Sequence, residues 1–103
     1  MLEQFTKKDA DDSVKWGSPV EIEIRKRIHL SVAAYAYEYE NVSIISDGEY
    51  DRKSLEVQPK LKTGHARMDR FFKNNFDANT GQWVRHHPDL LKIKKIYNDY
   101  YKG

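Results

Sequence analysis

The tetrapeptide Ser18-Pro19-Val20-Glu21 constrains this chain more than any other short stretch. Serine followed three positions later by glutamate is a capping box, in which each side chain satisfies a backbone N–H that a helix start leaves unpaired. Proline at the first helical position costs nothing there, because its missing N–H has no intrahelical partner to lose. Behind this start Val20, Ile24, Ile28, Val32, Tyr35 and Tyr39 recur near every fourth residue, and Ala33, Ala34 and Ala36 allow close packing. The alternation VEIEI also fits a strand, but the cap, the length and the alanines decide for a helix running to about Asn41.

The remaining punctuation divides the chain into shorter helices. Ser46 with Glu49 is a second capping box, opening a helix of about ten residues that must end before Pro59. Residues 60–64 read as a connection, and HARMDRFFKNNF sets Met68, Phe71, Phe72 and Phe76 at helical spacing as core. DANTG is a turn with Gly81 as breaker, and QWVRHH is extended or a single helical turn. After Pro88, Leu90, Ile93, Tyr97 and Tyr100 form one stripe of a last helix. The expected fold class is all-α, a small single domain of about four helices with short loops. Residues 1–17 are a loosely held lead-in with Trp16 docking on the body. Residues 18–103 form the helical domain, divided into a helix-loop-helix at 18–58 and C-terminal helices at 59–103.

Composition excludes several classes of function. A chain of 103 residues buries only about 60 to 65% of its unfolded surface, enough for one modest core. The absence of cysteine removes disulfides and cysteine-based zinc or redox sites, and suits a cytoplasmic location. No apolar run approaches the ~18 residues of a membrane span, and the N-terminal residues lack the apolar core of a signal peptide. Eighteen basic against sixteen acidic residues, a net charge of +2, is too little for nucleic-acid binding by bulk charge. The unusual feature is aromatic content, 13%, with seven tyrosines.

The chemistry concentrates in residues 35–52, YAYEYENVSIISDGEYDR. Read plainly, acidic residues in a first helical turn complement the helix dipole and the tyrosine packs. The stretch also resembles the small N-terminal helical subdomain of bacterial NAD-dependent DNA ligases. There a tyrosine-rich helix runs into a loop and an I-(S/P)-D-x-E-Y-D-R segment starts the next helix. The resemblance covers roughly residues 20–58. It implies a subdomain that captures the nicotinamide mononucleotide half of NAD, with Tyr37, Asp47, Tyr50 and Asp51 facing the ligand. The tyrosines would stack on or flank the nicotinamide ring, and the aspartates would face its positive charge and bond its carboxamide or ribose hydroxyls. Nicotinamide mononucleotide or NAD is thus the implied ligand, and no cofactor is otherwise required. The chain has Glu38 where the ligases carry histidine, so repulsion of the ligand phosphate is expected. It also lacks the K-x-D-G motif of the adenylated lysine. The expectation is a non-catalytic accessory protein of DNA metabolism, of the sort phages and small mobile genomes encode.

Other constellations carry less. His65, His86 and His87 lack the companions of a metal site, and His87-Pro88-Asp89 reads as helix initiation. Asp77 to Gly81 lacks the ligand positions of a calcium loop. Trp83 anchors either the core or a partner. A second class of function, a nucleic-acid-binding helical protein, would use Arg67, Arg70, Lys73, Arg85, Lys92 and Lys95. A third is an interaction protein, an inhibitor or adaptor of a host enzyme, and a protein partner is expected in either the first or the third reading. Tyr35 and Tyr37 lie about 200° apart around their helix. The expectation is that Tyr35 is buried on the stripe with Ile24, Ile28 and Tyr39, and that Tyr37 faces the 47–51 turn.

Overall fold

Four α-helices and one 3-10 helix make up residues 15–102, the part of the chain described by the computed structural model. Of the lead-in expected at residues 1–17, residues 1–14 lie outside the described residues. Helix α1 spans Pro19–Glu40, α2 Asp47–Glu56, α3 Ala66–Asn75 and α4 Leu90–Tyr100, with the 3-10 helix at Gln82–His86. Among the described residues there is no strand. Among the described residues no helix is long and apolar enough to cross a membrane.

Both serine starts act as caps. The Ser18 side chain accepts from the Glu21 N–H at 3.2 Å, and that of Ser46 from the Glu49 N–H at 3.1 Å. The glutamate of the first box reaches one residue further back than the motif implies, its Oε1 accepting from the Gly17 N–H at 2.9 Å. Helix α1 ends at Asn41, whose φ of 60° turns the chain out of the helix, a conformation asparagine tolerates better than most residues. The Ala36 carbonyl accepts from the N–H groups of both Asn41 and Val42.

Helix α1 is the axis of the molecule, packing against α4, the 3-10 helix and α2. From Leu30 to Ala36 every residue is buried. The helix is enclosed all round there, and three alanines let neighbours approach closely. Phe71 and Phe72 of α3 meet Trp83, whose ring centroid lies 5.4 Å from that of Phe72, and Val84, Ile93 and Tyr97 close the core. Trp83 is therefore a core residue, 4% exposed. Met68 and Phe76 are only partly buried against the same cluster.

The first half of α1 departs from the expected apolar stripe. Ile28 is 40% exposed and Ile24 only half-buried, whereas Glu23 and Arg27 are buried. The reason is a set of partners for Arg27 and for one oxygen of Glu23, its Oε1 being buried without one. Arg27 donates through Nε to Glu23 Oε2 at 2.8 Å, through Nη1 to Asp69 Oδ1 at 2.9 Å, and through Nη2 to the carbonyls of Gln58 and Leu61. Its guanidinium also lies 4.9 Å from the centre of the Phe72 ring. Asp69 accepts from the Thr63 N–H and hydroxyl, and Glu23 Oε2 from the Gln58 N–H. Charges buried with this many bonds are tolerated, and the network ties α1 to the irregular 57–65 segment and α3.

Three further expectations are corrected. Tyr39 is 43% exposed, stacked on the buried Tyr35 at 5.1 Å instead of entering the core. Tyr100 is 78% exposed, because the buried face of α4 ends one turn earlier at Tyr97. Trp16, also 78% exposed, does not dock on the body; it takes the Arg25 guanidinium 4.3 Å above its ring.

Candidate functional site

The turn from α1 into α2 opens a groove of about 410 Å³, and Tyr37, Asp47, Tyr50 and Asp51 all line it. Two helices place them. Tyr37 leaves the last turns of α1, 60% exposed, while Tyr35, two residues earlier, is 3% exposed in the core. Asp47, Tyr50 and Asp51 occupy the first turns of α2, where the Ser46 cap fixes the helix start. The opposite wall, residues 79–82, comes from the turn before the 3-10 helix.

Tyr50 joins the two walls. Its hydroxyl donates to the Thr80 carbonyl at 3.4 Å, and a Cβ added at Gly81 would stand 3.2 Å from that hydroxyl oxygen and 3.4 Å from the Ala34 Cβ. Glycine at 81 and alanine at 34 therefore leave the space that the tyrosine hydroxyl fills. Burial raises the Tyr50 pKa, with Trp83 and Ser54 acting in the opposite direction, so the phenol is protonated at neutral pH and keeps its proton for the Thr80 carbonyl. Tyr37, the more exposed of the two, offers an open ring face.

Two exposed carboxylates, Asp47 and Asp51, give the α2 wall a negative character. Glu38 on α1 does not add to it as expected. Arg85 donates to Glu38 Oε1 through Nε at 3.1 Å and Nη2 at 2.8 Å, and its guanidinium lies 5.3 Å from the centre of the Tyr39 ring. The Glu38 carboxylate, from which repulsion was expected, thus has a cation in direct contact with it.

Sequence reasoning named Arg85 only among the cations of a nucleic-acid reading, and missed its place at Glu38 and the 79–82 wall. The turn residues Asn79, Thr80 and Gly81 announced a turn, but no periodicity connects position 85 to position 38, or position 80 to position 50. The histidines do not converge: His65 and His86 are exposed and His87 is buried. Among the described residues no group of His, Asp and Glu is arranged to hold a metal ion. Comparison with protein-family models, curated proteins and solved structures finds no match to this chain.

Proposed function

We propose that the chain binds a nicotinamide nucleotide in the α1–α2 groove and acts as a non-catalytic accessory protein of DNA metabolism, in the manner of the ligase subdomain it resembles. The observation that carries the reading is the convergence of Tyr37, Asp47, Tyr50 and Asp51, fourteen positions apart at the extremes, on one concavity. Its volume of about 410 Å³ lies within the range of small-molecule sites, about 300 to 1,000 Å³. Aromatic faces beside two carboxylates suit a cationic aromatic ring, and the Glu38–Arg85 pair suits a ligand that also carries a phosphate. The same groove serves free nicotinamide mononucleotide or that half of NAD. A protein partner would then receive or supply the nucleotide.

The test is thermal unfolding with nicotinamide mononucleotide. A hundredfold excess over the dissociation constant stabilises a fold by about 2.7 kcal/mol, several degrees for a domain of this size. Asp51→Asn should remove the shift while leaving the unliganded protein nearly as stable, since Asp51 is exposed. The absence of any shift at millimolar nucleotide would leave the groove as scaffold.

A further inference from the structure

Two further grooves flank the buried charge network, and they differ in charge. The second groove, of about 400 Å³, lies between α1, α3 and α4, with Ile24, Ile28 and Ile96 among its walls. Its cations Arg27, Arg67 and Lys92 are matched by the carboxylates of Glu23, Asp69 and Asp89. The third, of about 590 Å³, lies between the 59–64 segment and α3. Lys60, Lys62, Arg70 and Lys73 all line it, and all four are exposed. Among the described residues none of the four has an ion-pair partner, whereas Arg25, Lys26, Lys53, Arg67, Arg85 and Lys95 each contact a carboxylate. The acidic residue in the groove, Asp69, is already engaged. Its Oδ1 accepts from Arg27 and the Thr63 hydroxyl, and its Oδ2 from the Thr63 N–H.

The backbone beneath holds this cluster together. Arg27 binds the carbonyls of Gln58 and Leu61, and Asp69 fixes the Thr63 N–H beside Lys62. Arg70 and Lys73, three residues apart, share one face of α3. Four like charges thus meet in one concavity on fixed backbone, at a cost in mutual repulsion that a polyanion would relieve. The small net charge of +2 does not oppose this, because screening confines the field to about 10 Å. Among the residues lining the groove there is no aromatic side chain, so unstacked bases would find no platform. A duplex needs none, since its bases stack on one another. It presents one charge per about 1.7 Å of its axis, the density that several cations in one groove can use. Three lysines supply point charges, and Arg70 adds a fork that fits a phosphate. We propose that the groove between residues 59–64 and α3 docks the phosphate backbone of duplex nucleic acid without reading its sequence. This site is independent of the nucleotide groove and does not rest on it.

Fluorescence anisotropy of the full chain with a short labelled DNA duplex tests the proposal. The duplex should bind, and its affinity should fall roughly a hundredfold between about 50 and 200 mM salt, as expected for up to four phosphates at ~0.9 each in the log–log slope. A second duplex of unrelated sequence should bind equally well, and the single strand more weakly. Lys62→Gln with Arg70→Gln, one exposed cation from each wall, should weaken binding at least tenfold and reduce the slope by about 1.8. Lys94→Gln with Lys102→Gln, the same change in net charge at exposed positions outside the groove, should leave affinity nearly unchanged. No binding at the lower salt, equal losses in the two double variants, or tighter binding of the single strand would overturn the proposal. So would displacement of the duplex by polyglutamate or by tripolyphosphate at equal charge, since the occupant would then be an acidic protein or a small oligophosphate.

Discussion

The two halves of α1 solve the same packing problem with opposite chemistry. From Leu30 to Ala36 the helix is enclosed by apolar and aromatic neighbours, and its stability there comes from area removed from water. Around Glu23 and Arg27 it is held by a buried charge network that reaches the 57–65 segment and α3. The first arrangement tolerates small losses, because each contact is weak and many are made. The second concentrates its strength in one guanidinium, so a single removal leaves several buried acceptors unpaired. Each half also borders its own groove, aromatic and acidic beside the enclosed half and largely apolar beside the charged one.

The largest expected effect separates the two halves directly. Arg27→Met should destabilise the fold by about 3 to 5 kcal/mol, because Glu23 and Asp69 are left buried without their countercharge. Denaturant unfolding measures it. A loss below 1 kcal/mol would show that the network is dispensable and that the apolar half carries the fold.

Next in size is a pH effect confined to the charged half. Burial lowers the His87 pKa to about 4, Asp89 acting to raise it and Arg67 to lower it further. A histidine in the unfolded chain titrates near 6.5, so between about pH 6.5 and 4 the unfolded state binds more protons. Stability should therefore be full above that window and fall within it, by on the order of 3 kcal/mol. His29, lowered by its own burial and by Lys53, acts in the same direction, so the His87 share is the part that His87→Phe removes. At lower pH Asp69 adds a further loss. Burial would raise its pKa, but bonds from Thr63 and Arg27 outweigh burial and hold it below the usual carboxylate range. Its contribution is present above about pH 4 and is lost as pH falls through the depressed value. A flat profile between pH 7 and 4 would contradict the placement of His87.

Smaller effects belong to the enclosed half and its groove. Ser46→Ala removes the cap that orients Asp47, Tyr50 and Asp51, and should cost about 1 kcal/mol. Arg85→Ala should cost no more than about 1 kcal/mol, since its guanidinium is half-exposed. The same change should weaken binding of an anionic nucleotide more than that of its uncharged-tail nucleoside, which competitive titration would resolve.

The helices were readable because their ends are written locally. Ser18, Ser46 and Pro88 mark starts, and Asn41 marks an end through its own side chain and backbone preference. The face of α1 was less readable. Ile24 and Ile28 look like core by spacing, and only the distant Asp69, Gln58 and Leu61 make burial of Glu23 and Arg27 favourable instead. The groove shows the same division. Tyr37, Asp47, Tyr50 and Asp51 are close in sequence and were found together, whereas Thr80, Gly81 and Arg85 arrive by tertiary packing alone.

The most direct measurement is amide chemical-shift mapping with nicotinamide mononucleotide. The proposed site predicts saturable shifts at Tyr37, Glu38, Asp47 to Asp51 and Thr80 to Gln82, with Ile24, Ile28 and Ile96 in the second groove unmoved, and no such shifts in Asp51→Asn. Shifts centred on the second groove, or none at millimolar nucleotide, would contradict it.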